Sequence, residues 1–305
     1  MKINKAKIAG IVFMFSFYLL AYGIGFFLTY LTLSTAPLII QLLVFDVIAT
    51  LIIWLISLII KNSSVYDPYW SLTPMILIIY LMIINFLNLN LYHFILIGAF
   101  LSWSLRLTIN WMTTFEDRHW EDWRYQMFRQ NNSPWMWHII NFFGIQMMPT
   151  LLVFAAFLPL VFILQGSATI WTLIASFIIF SGFLLQFFSD IHIHKFLRET
   201  KEKKVCEVGL WYYSRHPNYL GELLIWIGVF GALMLIDPSY YFLGAGMIMM
   251  ILLFEFISIP MMEKRQLQRR KDYARYQKTT SRLIPLPKRD YQMESKEEAV
   301  QVANK

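Results

Sequence analysis

The sequence predicts an all-α fold: a polytopic transmembrane helix bundle of about eight spans with both termini cytoplasmic. Three observations predict it. Hydrophobic residues make up 58% of the 305 and charged residues only 15%, a balance foreign to soluble domains, and the mean hydropathy is +0.53. Apolar runs of roughly 20 residues, the length that bilayer hydrocarbon demands of a helix, succeed one another from Ile8 to Met262. Lys and Arg gather in alternate connections. Backbone groups in lipid must be satisfied internally, which leaves helices or a closed barrel. A barrel needs alternating segments of about ten residues, and continuous runs such as Ile8 to Leu33 exclude it.

The elements follow in order. The first span is read at 8–33. Lys2, Lys5 and Lys7 before it and Ser34-Thr35-Ala36 after it imitate a signal peptide, yet the run exceeds the roughly 15 residues of a signal core, and Pro37 disfavours cleavage. Further spans are read at 38–60, 71–87, 91–112, 139–164, 168–189, 219–236 and 240–262. The connections around Leu33, Asn88, Gly166 and Asp237 lack Lys and Arg. The N-terminal tail, 61–70, 113–138, 190–218 and the C-terminal tail hold all 26 basic residues except Arg106. An even number of spans puts these segments on one side, and the positive-inside rule makes that side cytoplasmic. The net charge of +7 is then explained by orientation and anionic lipid, with no nucleic acid required. Glu263 to Tyr276 is charged on nearly every face and reads as a helix leaving the membrane, stopped before Pro285 and Pro287. The chain reads as one membrane domain over 1–288 followed by a disordered tail over 289–305.

Cofactor metal is not expected, because the single Cys206 and six scattered histidines show no metal-cage spacing. Chemistry is sought where charge enters a span, since burying an ionisable group in lipid costs several kcal/mol by most estimates. Asp46, Arg106, Glu222 and Glu255 are such residues. Asp46 and Glu255 lack a surrounding motif and read as structural. Arg106 lies in Ser102-Trp103-Ser104-Leu105-Arg106-Leu107, ahead of the mixed-charge run Glu116 to Arg129, and its neighbours suggest a lined cavity. Interfacial anchoring is the plainer reading of Trp120 to Tyr125.

The strongest constellation is Gly209-Leu210-Trp211-Tyr212-Tyr213-Ser214-Arg215-His216-Pro217-Asn218-Tyr219-Leu220-Gly221-Glu222. Pro217 suits the first turn of a helix, where its missing N–H would be unpaired anyway. A helix starting there puts Asn218 and Glu222 on one face, with Arg215 and His216 at its mouth. A helix N-terminus flanked by Arg and His suits an anion, and Glu222 suits either ribose hydroxyls or the orientation of Arg215. Upstream, Gln186, Asp190, Lys195 and Arg198 punctuate the end of the sixth span.

That run resembles the carboxy-terminal signature of the steroid 5-alpha-reductase-like membrane enzymes, in particular a mostly bacterial branch of uncharacterised reductase-like proteins. The likeness extends in family order through Tyr66-Asp67-Pro68-Tyr69-Trp70, Ser104 to Leu107, Glu121 to Tyr125, Asp190 to Arg198 and Glu263-Lys264-Arg265, covering roughly residues 45–288. It implies a bacterial cell membrane, a cytoplasm-facing NADPH pocket, and hydride transfer to an activated C=C bond of a lipophilic substrate. Carried over, Asp190, Lys195, Arg198, Trp211, Arg215, His216, Asn218, Tyr219 and Glu222 would line the cofactor, and Arg106 and Trp70 the pocket. A dinucleotide with a 2′-phosphate wants basic contacts, a carboxylate or amide for ribose, and aromatic walls. Enone reduction also needs a hydrogen-bond donor at the developing enolate. The steroid reductases are thought to use a Tyr and Glu pair. No clear counterpart aligns, and Tyr66 with Asp67 stand as substitutes.

Two other readings stay open. Isoprenylcysteine and phospholipid methyltransferases are similar in their Arg-His-Pro-x-Tyr turn and later Glu, and would bind S-adenosylmethionine. Asn218, Trp211 and the Asp190 to Arg198 cluster favour the reductase. A non-enzymatic transporter or lipid-binding protein predicts repeat symmetry, which the sequence lacks.

Overall fold

The computed structural model describes residues 5–200 and 203–289. Among the described residues there are helices, turns and one isolated bridge but no strand. Eight helical segments are long and apolar enough to cross a membrane: Lys5–Leu33, Leu38–Ile60, Ser63–Ile84, Leu91–Thr114, Pro134–Gln165, Thr172–Glu199, Pro217–Ile236 and Pro238–Arg269. The protein is an all-helical, multi-pass membrane protein with the span count the sequence predicts.

The differences lie at span ends. The third begins at Ser63 in place of 71, because Ser63–Tyr66 form a 3-10 turn whose start Asn62 caps, accepting from Ser64 N. The fifth begins at Pro134, with Pro at its first turn after Ser133. The sixth and eighth run on to Glu199 and Arg269, since charged residues are good helix formers once outside lipid. The helix read from Glu263 to Tyr276 is broken: one helix ends at Arg269 and another spans Tyr273–Thr279. Arg270 is extended there, and the break lets Tyr273 and Tyr276 turn inward to full burial. The tail read at 289–305 lies outside the described residues, Arg289 excepted.

The chain forms two compact units, one of residues up to 183 with 223–251, the other of 184–222 with 252 onward. The first contains α1 (Lys5–Leu33), α2 (Leu38–Ile60), α3 (Tyr69–Ile84), α4 (Leu91–Thr114), α5 (Trp123–Asn131), α6 (Pro134–Ile139) and α7 (Met148–Gln165). Lipid tails are as apolar as Leu, so close packing and interhelical hydrogen bonds hold these helices together. Both occur. Gly246 lies so near α7 that a Cβ there would meet the Ala155 backbone at 2.4 Å. Trp103 and Trp226 stack edge to face at 5.1 Å. Thr150 bonds both Thr50 (2.9 Å) and Tyr66 (2.7 Å), and Ser104 donates to Ser71 O at 2.7 Å. Asn90 and His93 form a capping box at the start of α4, and His93 Nε2 lies 3.1 Å from Ile163 O. This histidine holds two spans together.

The run Trp120 to Tyr125 does more than sit at an interface. Asn62 donates to Arg118 O and Trp120 O, Ser63 N donates to Glu121, and Ser64 Oγ accepts from Asp122 N. Asp122 also caps α5, accepting from Arg124 N at 2.8 Å.

The second unit is built from the end of α8 (Thr172–Glu199), from α9 (Leu210–Tyr213) and from the start of α10 (Pro217–Ile236). After α11 (Gly244–Leu253), it also takes in α12 (Ile259–Arg269) and α13 (Tyr273–Thr279). After α13 the chain returns along 213–215. Arg215 N donates to Ser281 O (2.9 Å), Ser214 Oγ to Leu283 O (2.7 Å) and Leu286 N to Tyr213 O (3.1 Å).

Candidate functional site

In the second unit, α10 starts at Pro217, as the motif predicts. The turn before it depends on Gly209, whose φ of 59° and ψ of −127° belong to glycine. A Cβ there would meet the His192 ring at 2.4 Å, so the glycine also lets α9 settle on α8. Trp211 Nε1 then donates to Ser189 O at 2.9 Å.

Arg215 does not use Glu222 as its carboxylate. Its Nε donates to Glu263 Oε1 at 2.7 Å, and its Nη1 to Gln277 O (2.5 Å) and Thr280 O (2.9 Å). His216 Nε2 lies 3.0 Å from the same Glu263 oxygen, and its ring stacks on Tyr219 at 5.2 Å. Burial holds the His216 pKa below the ordinary imidazole value, and the Glu263 carboxylate works against that shift. The guanidinium fork thus ties three stretches of chain into one joint, with the carboxylate of α12 at its centre. Gln277 Nε2 donates to the second Glu263 oxygen at 2.8 Å.

Glu222 is buried at 3% exposure and accepts from Gln186 Nε2 at 2.7 Å, and the same amide reaches Asn218 O at 3.3 Å. Two acceptors here, Gln186 Oε1 and Asn218 Oδ1, are buried without a hydrogen-bond partner. Such orphans are costly inside a protein. Together with the Glu222 carboxylate they form a set of acceptors that fits hydroxyl or amide donors of a bound molecule. Asp190 is half-buried at the end of α8, while Lys195 and Arg198 are exposed, Arg198 Nε donating to His194 O at 3.3 Å. The second unit therefore holds two bonded sets, Arg215 and His216 with Glu263 and Gln277, and Asn218 and Glu222 with Gln186; Tyr219 stacks on His216, Trp211 is tied to Ser189, and Lys195 and Arg198 are on the surface. Glu263 was quoted in the sequence motif. Gln186 stood with Asp190, Lys195 and Arg198 among the polar residues that punctuate the end of the sixth span.

The first unit holds Tyr66, Asp67, Trp70 and Arg106. Arg106 is 9% exposed on the buried side of α4, and Trp70 is half-buried at the start of α3. Tyr66 and Asp67 do not pair with each other: Tyr66 bonds Thr150, and Asp67 accepts from Tyr125 at 2.6 Å. A tyrosine–carboxylate pair exists one turn on. Tyr69 Oη donates to Asp46 Oδ1 at 2.7 Å and also lies 2.9 Å from Asp46 O, with both residues buried. Sequence reading left Asp46 structural because its partner lies in the next span, at no fixed spacing. Tyr69 stacks on Tyr66 (5.1 Å) and lies 6.0 Å from Tyr22. Tyr22 lines an apolar cavity of about 490 Å³ with Phe26, Thr29, Phe45, Ile76 and Tyr80, among others. Glu255, the other carboxylate read as structural, belongs to the second unit and pairs with Arg282 at 3.0 Å. Among the described residues no cluster of metal-ligating side chains occurs.

A family model described as a protein of unknown function, DUF1295, matches residues 53–280, more than half of the chain. An uncharacterized protein of Schizosaccharomyces pombe is 26% identical over 229 residues, 66% of this chain and 66% of that protein. The chain thus spans just under two thirds of that relative's length. No solved structure matches.

Proposed function

The chain belongs to the DUF1295 family, which is steroid 5-alpha-reductase-like, and on that premise we propose that it is a membrane-embedded NADPH-dependent reductase of a lipophilic substrate. Under this reading the basic connections and both termini are cytoplasmic. The observation that carries it is the acceptor set of Asn218, Gln186 and Glu222 at the mouth of α10, with two orphaned oxygens. It suits ribose hydroxyls and a carboxamide, and Trp211 and Tyr219 are the aromatic side chains of the same motif. Lys195 and Arg198, exposed at the end of α8, are available to phosphates. Arg215 serves as the joint that holds this mouth in shape. When bound, NADPH supplies a hydride. The chain's part in the reduction is to hold a proton. Tyr69, hydrogen-bonded to Asp46, is the hydroxyl we assign that role in place of Tyr66 and Asp67. The apolar cavity beside Tyr22 fits a lipophilic molecule, its volume lying within the range of small-molecule pockets, roughly 300–1,000 Å³.

One observation favours the S-adenosylmethionine reading: the Arg215 charge is already met by Glu263, which weakens this mouth as an anion site. Titration of purified protein with NADPH, NADH and S-adenosylmethionine, read by thermal stability, separates the two. NADPH at 100 times its dissociation constant should stabilise by about 2.7 kcal/mol. Tyr69→Phe should keep that shift and lose NADPH-dependent reduction. Stabilisation by S-adenosylmethionine alone would overturn the reductase assignment.

A further inference from the structure

A second cavity, of about 330 Å³, opens in the first unit where α2 and α4 end, and its lining includes Ile60, Lys61, Arg118, His119, Glu121 and Arg129. Its wall is rigid. Arg129 grips Glu121 with two parallel bonds of 2.8 Å, Nη1 to Oε2 and Nη2 to Oε1. Ser63 N donates to Glu121 Oε1 at 3.0 Å, and Arg129 Nη2 also reaches Lys61 O at 3.4 Å. One carboxylate is thus consumed by one guanidinium. Lys61 and Arg118 remain as cations facing the same space, with Arg118 Nε donating to His119 Nε2 at 3.1 Å. The chain ends α2 in an unusual way. Lys61 has φ 54° and ψ 37°, the left-handed region, and is the only non-glycine residue with positive φ among the described residues. Glycine ends most helices that stop in this way. A lysine there carries a backbone cost that glycine would avoid, and it places an ammonium at the rim of the cavity.

We propose that this cavity binds the phosphate of an anionic phospholipid headgroup. Ile60, the last residue of a span, forms part of the lining, so the space meets the bilayer where headgroups lie. Lys61 and Arg118, without an ion pair among the described residues, beside a neutralised carboxylate match one phosphodiester. The exposed amides of Gln126 and Gln130 on the same rim are additional donors. The site involves none of the groups assigned to cofactor or proton transfer, so the proposal stands whatever the reaction.

The test uses the full chain in nanodiscs of phosphatidylcholine, with or without a fifth of the lipid as phosphatidylglycerol, read by thermal unfolding at low salt. Phosphatidylglycerol should raise Tm. Lys61→Gly should keep or raise Tm in phosphatidylcholine, because the left-handed backbone suits glycine, and should lose most of the phosphatidylglycerol response. Each lost cation should weaken the lipid about fivefold. Arg118→Gln gives an independent second variant, and Lys271→Gln, exposed and outside the cavity, is the control. A full phosphatidylglycerol response in Lys61→Gly and Arg118→Gln overturns the site. So does an equal loss in Lys271→Gln, which would make the effect a general surface charge. Equal stabilisation by inorganic phosphate at matched concentration overturns the lipid as its occupant.

Discussion

The two units hold their polar groups by different means. In the first, hydroxyls and amides bond mostly to one another inside spans: Thr50 with Thr150, Ser71 with Thr108, and Asn141 and Gln146 with Ser57. In the second, full charges are buried and cancelled. Glu263 serves both Arg215 and His216, and carbonyls of the returning chain take what remains of the guanidinium. The first arrangement is many weak bonds, none of which carries the unit by itself. The second is a few strong bonds around one carboxylate, and the turn that forms the candidate cofactor mouth depends on it.

The largest effect should therefore come from Glu263→Ala. It strands Arg215, with a side chain 10% exposed, and His216, 4% exposed, without their carboxylate. Breaking a buried pair from one side costs about 3–5 kcal/mol. The counterpart in the first unit, Thr150→Val, removes a hydroxyl bonded to Thr50 and Tyr66 and should cost about 1–3 kcal/mol. Thermal unfolding of both variants in one detergent measures the contrast. Equal losses would dissolve it.

The same contrast explains what could be read in advance. Span number and order were legible because apolar length is a one-dimensional signal, and the start of α10 was legible because Pro217 announces it. Arg215, His216, Asn218 and Glu222 stood in one short run and could be grouped. Their partners could not. Glu263 and Gln277 reach Arg215 from 48 and 62 positions away, and each other from 14, in the hydrogen bonds they make. The run left Glu222 to either ribose hydroxyls or the orientation of Arg215, whereas α12 delivers a different carboxylate to Arg215. Tyr69 and Asp46 were hidden for the same reason, since the two residues lie 23 positions apart on neighbouring spans. Tyr66-Asp67, adjacent in sequence, drew attention that their separate bonds to Thr150 and Tyr125 do not reward.

A smaller effect should follow acidification. Burial depresses the His216 pKa in the folded state, against the pull of Glu263. The unfolded chain therefore takes up a proton that the folded chain resists. Stability from this group is complete above the ordinary imidazole value, about 6.5, and is lost as pH falls through the window between that value and the depressed one. The slope for a single proton is at most about 1.4 kcal/mol per pH unit. Thermal unfolding between pH 8 and pH 5 should show the decline, and His216→Gln should flatten it. An unchanged slope in that variant would remove His216 as the source of the pH dependence.

The smallest effect should come from an ion pair in the same unit that is not buried. Arg275 pairs with Glu207, but its side chain is 47% exposed, and Glu207 keeps Lys288 as a second partner. Water and salt screen such a pair, so Arg275→Ala should cost about 0.2–1 kcal/mol, and less as salt is raised. The measurement is the same thermal unfolding as for Glu263→Ala, repeated at low and high ionic strength. Both pairs join an Arg to a Glu in the second unit, so they differ chiefly in access to water. If Arg275→Ala approached the loss from Glu263→Ala, or kept its full effect at high salt, burial would not be what gives the Glu263 joint its weight. The returning segment would then be held by the summed bonds of 207, 275 and 288 as firmly as by the single carboxylate on α12.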